Sequence, residues 1–139
     1  MPPVRTIAVL GDRVDILVSG AMTEGQSLTI VQTTPPGGGP PTHQHTNEDE
    51  TFYILEGEFE ILKDGVWHKA LPGDAFHGPR GSVHTFRNSG TRDGKLLVHA
   101  MPAGFESFLE EISPLKVPDD LPKLFEIAGR YGITFPPPA

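Results

Sequence analysis

Three histidines and one glutamate in two short segments have the residue types and spacing of a metal site. His43 and His45 lie two residues apart, and Glu50 follows five residues later. Because side chains alternate along an extended chain, His43 and His45 point to the same face and can bind one ion. Imidazole and carboxylate groups are ligands for many divalent transition metals, including Zn, Fe, Mn, Co, Ni and Cu. The sequence therefore predicts one divalent transition metal of unassigned identity, held by His43, His45, Glu50 and His84.

The segments around these residues resemble the two signature motifs of the cupin family. In PGGGPPTHQHTNEDETFYILEG the matching positions are Gly37, His43, His45, Glu50 and Gly57. In PGDAFHGPRGSVHTFRN they are Gly73, Pro79, Gly81, His84 and Asn88. The resemblance implies a cupin fold, with the metal at the barrel mouth. It does not imply one reaction, because this fold carries many chemistries.

Within the cupins, the sequence most resembles small quercetinase-like proteins, through strings such as GPRGSVHTFRNSG and PAGFESFLEEI. This resemblance implies a metal-dependent dioxygenase that cleaves a small enol-containing or polyphenolic compound. Glu50 would then be the catalytic base as well as a ligand. Two alternatives stay open: a metal-dependent isomerase, cyclase or lyase without oxygen chemistry, and a non-catalytic protein that binds a small molecule. Family resemblance also implies a homodimer, since open β-edges are commonly buried between subunits.

Phe52 and Phe86 are the predicted substrate-pocket residues. Phe52 shares its parity with Glu50, and Phe86 shares its parity with His84. Both rings are therefore expected to face the interior and to form an apolar wall over the metal. Ile54 has the same parity as Phe52 and is expected to be plain core.

Other acidic and histidine residues near the motifs receive no ligand role. Glu48 and Asp49 precede the glutamate that fits the motif interval, and both are expected to be solvated at a loop tip. His77 is interpreted as a surface residue or a neighbour of the ligands. His99 lies between apolar residues, and is either a hydrogen-bonded core residue or a residue lining the barrel. His68, beside a hairpin, is expected to be exposed.

Composition excludes several classes of protein. Eighteen acidic and eleven basic residues give a net charge of −7, without a basic cluster for nucleic acid. The chain has no cysteine, so disulfides and thiolate ligands are excluded. The apolar stretches are too short for a membrane span, and the N-terminal residues lack the order of a signal peptide. A cytoplasmic protein with a small-molecule substrate is the expectation.

Short apolar segments separated by glycine and proline predict an all-β fold, an antiparallel β-barrel or jelly roll. An Asp64-Gly65 turn between two alternating segments predicts a hairpin. The expected strands are 14–18, 28–33, 51–55, 59–63, 66–70, 75–77, 84–88 and 95–101. Residues 1–139 are expected to form one cupin domain, with its barrel at about 5–102.

A helical C-terminal extension is expected at about 103–139. Apolar residues recur there at helical spacing, at Phe105, Phe108, Leu109 and Ile112, and again at Leu121, Leu124, Phe125 and Ala128. Asp119 or Asp120 can cap the second helix, with Pro122 in its first turn and Gly132 just past its end. The helices are expected to pack as an appendage, the alternative being that one covers the barrel mouth. The final PPPA is expected to fray.

Overall fold

The computed structural model describes residues 2–136, which form two antiparallel sheets and two helices. The strands in chain order are β1 (Arg5–Val9), β2 (Asp12–Val18), β3 (Leu28–Thr34), β4 (His43–His45), β5 (Asp49–Glu56), β6 (Phe59–Lys63), β7 (Val66–Ala70), β8 (Ala75–Gly78), β9 (Val83–Asn88), β10 (Gly94–Met101) and β11 (Ile133–Thr134). The helices are α1 (Phe105–Ile112) and α2 (Leu121–Arg130), and Gly20–Thr23 form one 3-10 turn. The expected fraying of PPPA falls largely on residues 137–139, outside the described residues.

Of the two expected architectures, a β-barrel or a jelly roll, the structure agrees with the jelly roll, because the two sheets do not close into a barrel. One sheet has the strand order β1-β2-β3-β10-β5-β8, and the other has β11-β4-β9-β6-β7. The ladders join strands only within a sheet, and the sheets are held together by their side chains. This is a two-sheet jelly-roll arrangement with the core between the layers.

Alternation of apolar and polar residues explains which side chains fill that core. In the larger sheet Ile16, Ile30 and Ile54 are fully buried, whereas their sequence neighbours are more exposed. Phe59 and Ile61 face them from the smaller sheet. All the predicted strands are present, with ends that differ by at most two residues, and Asp64-Gly65 forms the predicted hairpin at positive φ angles of 53° and 77°.

Two strands were not predicted from the sequence. β1 is an edge strand with four of its five residues at least partly exposed, so it shows no clear apolar alternation. β11 has only two residues and forms because it pairs with β4, placing Ile133 opposite His45. Neither strand has a sequence pattern of its own, and each depends on a partner strand distant in sequence.

The C-terminal helices pack over one end of the sandwich. Their buried faces consist of Phe108, Leu109 and Ile112 in α1 and Leu124, Ile127 and Ala128 in α2. Asp120 lies at the predicted N-cap position, but its carboxylate accepts a hydrogen bond from the Lys116 N–H and does not cap the helix. Gly132 lies past the helix end at a φ of 71°, as predicted. Within residues 2–136, no helix has the length and apolar character needed to cross a membrane.

The proline- and glycine-rich segment before β4 is fixed against β9. The Gly37 N–H donates to the Asn88 carbonyl at 3.0 Å, and the Asn88 N–H donates to the Gly38 carbonyl at 2.9 Å. Gly39 passes so close that a Cβ atom there would lie 2.1 Å from the Phe86 carbonyl oxygen. These contacts set where β4 begins, and therefore where its two histidines lie.

Candidate metal centre

The four predicted ligands come from both sheets. His43 and His84 are direct cross-strand partners on β4 and β9, and His45 lies on the same face two residues along β4. Glu50 faces them from β5 in the other sheet. Each residue offers one ligand atom, and the four atoms lie within 4.8 Å of one another. Residues far apart in the sequence thus converge on one point between the layers.

Glu50 lies at the centre of this cluster. Its Oε1 atom is 2.9 Å from His45 Nε2 and 3.1 Å from His84 Nε2. The His43 ring lies against both other imidazoles, with centroids 5.1 Å from His45 and 4.8 Å from His84. The four residues are between 1% and 8% exposed, so water does little to compete for their ligand atoms.

Hydrogen bonds on the far side of two imidazoles orient the rings. His43 Nδ1 donates to the Pro41 carbonyl oxygen at 2.7 Å. The Ser82 hydroxyl donates to the Pro79 carbonyl, so its oxygen can accept from His84 Nδ1 at 3.2 Å. With Nδ1 protonated in each ring, the Nε2 lone pair is left to face the cluster, which is how proteins orient metal-binding histidines.

Glu48 lies behind the ring of His45, and its expected solvation is wrong. Its side chain is buried, with Oε1 3.7 Å from His45 Nδ1. The motif interval identified Glu50 as the ligand but carried no information about a carboxylate behind a ligand. The alternation of β4 sends His45 inward, and the short turn to β5 brings Glu48 against the back of its ring.

The cluster fits a divalent transition metal. His45 Nε2 is buried and has no hydrogen-bond partner among the described residues, although Glu50 Oε1 is 2.9 Å away. A buried ring nitrogen without a hydrogen-bond partner is costly in a protein interior. Three imidazoles and one carboxylate directed at one point are the donor set that such ions bind. Of the described residues, His43, His45, Glu50 and His84 would hold the ion.

The charges of the cluster are strongly coupled. Burial, together with the neighbouring His84, lowers the pKa of His43 to about 4. Burial also acts to lower the pKa of His45, but the Glu48 and Glu50 carboxylates outweigh it and raise that pKa to about 9. Burial opposes ionisation of Glu50, yet His45 and His84 hold the pKa of its carboxyl well below the usual range. Near neutral pH the metal-free site therefore contains a Glu50 carboxylate beside a protonated His45.

An apolar cavity of about 70 Å³ adjoins the cluster. Phe52 and Phe86 line it, as predicted from their parity, beside His43, His45 and Glu50. Ile54 is fully buried and does not line the cavity, as predicted for a core residue.

The C-terminal segment forms the opposite wall of this cavity, so its description as an appendage is wrong. The wall consists of Phe105, Phe108, Leu109 and Ile112 of α1, Leu124 of α2, and Ile133 and Phe135. The Phe105 ring packs edge-on against His45 at a centroid distance of 5.0 Å. Both helices therefore help to enclose the site, whereas the alternative expectation was that one helix covers it.

The remaining candidate residues lie outside the cluster. His77 and His99 are on the outer face of the larger sheet, flanking Thr51, and His99 Nδ1 is 2.9 Å from the Thr29 hydroxyl. His68 is exposed, as predicted. Asp49 is partly exposed and forms a two-pronged ion pair with Arg80.

Gly78 is a functional position that sequence reasoning missed. It pairs with Glu50 across β5 and β8, and a Cβ atom there would lie 3.1 Å from both Nδ1 and Cε1 of His84. A contact this short requires the ring to move. The signal in the sequence is a glycine ending a strand, which by itself indicates only a turn.

Comparison with known proteins agrees with this geometry. Residues 30–100 match the family model described as "Cupin domain". The chain is 31% identical over 103 residues to a quercetin 2,3-dioxygenase from Bacillus subtilis, a match that covers 73% of this chain and 30% of that protein. The chain thus spans less than a third of the length of that relative.

Two solved structures have similar folds. One is a predicted oxalate decarboxylase from Thermotoga maritima, with a TM-score of 0.63 and 26% identity over 73% of this chain and 93% of that one. The other is a sugar phosphate isomerase of the cupin superfamily from Silicibacter pomeroyi, with a TM-score of 0.59 and 25% identity over 66% of this chain and 59% of that one. Their names describe different reactions on a common fold.

Proposed function

Because the chain belongs to the cupin domain family, we propose that it is a metal-dependent dioxygenase that cleaves a small enol-containing compound. The observation that carries the proposal is the convergence of His43, His45, Glu50 and His84 at the end of an apolar cavity. A bound divalent metal would polarise an enol oxygen and bring dioxygen to the same centre. Both oxygen atoms would enter the products, so no external reductant is needed.

Glu50 is the proposed catalytic base. It is a cavity-lining carboxylate that also contacts two of the imidazoles. His45 and His84 keep its carboxyl ionised in the metal-free site, so one carboxylate oxygen is available as a proton acceptor. Loss of the enol proton to Glu50 would leave the enolate oxygen free to bind, while Phe52 and Phe86 exclude water from the reacting atoms.

The size of the cavity favours a small substrate. Its volume of about 70 Å³ is well below the roughly 300–1,000 Å³ of ligand sites that enclose drug-sized molecules. A catechol or short diketone needs little rearrangement, whereas a polyphenol of three rings requires the wall formed by α1 and α2 to move outward. We therefore place small enols ahead of flavonols.

Oxygen uptake tests this proposal. The protein loaded in turn with Fe, Mn, Co, Ni or Zn is given catechols, 1,3-diketones and flavonols in a closed oxygen-electrode cell. We expect oxygen consumption with at least one small enol and a redox-active metal, and little with zinc. An absence of oxygen consumption with every metal and substrate would overturn the proposal.

An isomerase, cyclase or lyase is the second candidate, supported by the similarity to a sugar phosphate isomerase. Such an enzyme would use the same four ligands and need no oxygen. Product formation under nitrogen, equal for zinc and iron, would favour it over the dioxygenase.

We also propose that the protein is a homodimer formed through the outer face of the larger sheet. Neighbouring strands there place Val31, Leu97, Tyr53 and Ala75 in one cross-strand row. Tyr53 is 42% exposed and Leu55, on the same face, is 38% exposed. A second copy of this face would bury the row, as contiguous exposed apolar residues commonly require.

A further inference from the structure

The cavity has a second polar end, away from the metal ligands. Asp12 of β2 and Gln32 of β3 line it together with the apolar residues. Both occupy inward-facing positions. Val14 is fully buried and is the cross-strand partner of Gln32, and Asp12 lies two residues before Val14 on the same face of β2. Asp12 is only 6% exposed. A carboxylate at a core position is expensive, so its presence calls for a role beyond packing.

The hydrogen bonds of this end leave two acceptors unused. Gln32 Nε2 and the Thr34 hydroxyl both donate to Asp12 Oδ2 at 2.7 Å. Asp12 Oδ1 and Gln32 Oε1 have no hydrogen-bond partner among the described residues. The bond from Gln32 Nε2 to Asp12 fixes the orientation of the amide group. The group that Gln32 leaves for a ligand is therefore its oxygen, which is a hydrogen-bond acceptor. A ligand at this end must therefore supply a hydrogen-bond donor.

The sheet register gives the separation of the two ends. Glu50 pairs with Ala100 of β10, and Leu96 of β10 pairs with Gln32. Gln32 therefore lies four residues along and two strands across from Glu50. Standard strand spacings put the Cα atoms of these two residues roughly 16 Å apart. The interior between them is apolar, with Phe52 and Val98 on its walls. A ligand that contacts both ends is elongated, slender and apolar in the middle.

We propose that Asp12, supported by Gln32, is a specificity-determining residue that binds a hydroxyl group at the end of the substrate farthest from the metal. The inference rests on the proposed function, because it assumes that the enol end of the substrate lies at the metal. Within the small enols proposed above, it narrows the substrate class to slender molecules that carry a hydroxyl at the end away from the enol. Thr34 has a positioning role, since it holds Asp12 Oδ2 and lies outside the cavity lining.

The test uses 1,3-diketones carrying an alkyl tail of increasing length that ends in either a hydroxyl or a methyl ether. Binding to the zinc-loaded protein is measured by calorimetry for the wild type and for Asp12→Asn. The wild type is expected to prefer the hydroxyl probe at the best tail length by about tenfold, the effect of one hydrogen bond to a charged acceptor. In Asp12→Asn, the amide oxygen accepts from Gln32 and Thr34, so its NH₂ group faces the cavity. This variant should lose or reverse the preference while still binding the shorter diketones.

The outcomes separate this inference from the function on which it rests. If the wild type binds both probes with equal affinity, or if Asp12→Asn keeps the same preference, Asp12 does not bind the terminal hydroxyl. Either result leaves binding of the diketone at the metal unaffected. If no diketone binds to the zinc-loaded wild type, the proposed function is wrong, and so is the proposed role of Asp12. Thr34→Val provides the structural control: it removes one bond to Asp12 and should keep the sign of the preference.

Discussion

The Glu48 carboxylate lies 3.7 Å from the imidazole of His45, measured from Oε1 to Nδ1, and both side chains are almost fully buried. Glu50 lies on the other side of the same ring, 2.9 Å from Nε2. His45 is thus held between two carboxylates, one directed at the cluster and one behind it. The Glu48 charge therefore makes the ring more basic and its nitrogen a stronger ligand, as carboxylates behind metal-binding histidines do.

Replacing Glu48 with glutamine is expected to weaken metal binding by about tenfold. The amide keeps the size of the side chain but removes the negative charge 3.7 Å from His45 Nδ1. Competition titration with a chelator of known affinity measures the change. Glu126→Gln is the matched control, because Glu126 is exposed on α2 and should leave the affinity unchanged. Equal affinities for the two variants would show that Glu48 does not contribute to metal binding.

Replacing Gly78 with alanine is expected to lower metal affinity by displacing His84. The new Cβ atom would lie 3.1 Å from two atoms of the ring, which must shift by a few tenths of an ångström. Ligand sets tolerate only about half an ångström of displacement. The same titration measures the effect.

Gly129→Ala is the control for Gly78→Ala. A Cβ atom at Gly129 has no neighbour within 4 Å, and the residue lies within α2. This variant should bind metal with unchanged affinity. Its free energy of unfolding should be about 1 kcal/mol higher, the difference between glycine and alanine in a helix. If Gly78→Ala binds metal as tightly as Gly129→Ala, the site has more room around His84 than the structure indicates.

Metal binding is expected to release about one proton per ion near neutral pH. The pKa of His45 is about 9 in the metal-free protein, so this ring is protonated there and must lose its proton to become a ligand. The number of released protons should fall toward zero as the pH rises above 9. Calorimetry in buffers of different ionisation enthalpy measures it. An absence of proton release near neutral pH would show that His45 is neutral before the metal arrives.

The shifted pKa values of His45 and His43 also make the free energy of unfolding of the metal-free protein depend on pH. The pKa of His45 is raised from 6.5 to about 9, so its contribution is fully present below pH 6.5 and is lost as the pH rises through 9. The pKa of His43 is lowered to about 4, so stability also falls as the pH drops from 6.5 toward 4. Stability measured by urea unfolding should therefore be greatest near pH 6.5.

Replacing Tyr53 with lysine is expected to convert the proposed dimer into a monomer. The substitution places a charge in the middle of the apolar row on the larger sheet. Light scattering gives the molar mass. Trp67→Lys is the matched control, since Trp67 is a similarly exposed aromatic residue on the smaller sheet. A wild type that is monomeric at all concentrations, or a dimer that survives Tyr53→Lys, would contradict this interface.

The meeting of His43, His45, Glu50 and His84 could be predicted from the sequence because these residues obey local rules. His43 and His45 share a face through strand alternation, and fixed motif intervals selected Glu50 from three neighbouring acids. The same alternation placed Phe52 and Phe86 in the cavity. These predictions needed only the period of a strand and the resemblance of two short segments.

The parts that failed depend on contacts between distant segments. Whether two sheets close into a barrel is decided by their edge strands, which local patterns do not identify. The burial of Glu48 depends on the packing of the β4–β5 turn against the C-terminal segment. Asp12 reads as a turn residue beside Gly11, and its place in the cavity follows only from the pairing of β2 with β3.

Four residues from two sheets are expected to hold one metal ion, and the metal content of the purified protein measures this. Elemental analysis after dialysis against a divalent metal should find one ion per chain in the wild type and in His77→Ala, whose histidine lies on the outer sheet face. It should find almost none in His84→Ala. Full occupancy of His84→Ala, or a wild type without bound metal, would show that these four residues do not form a metal site.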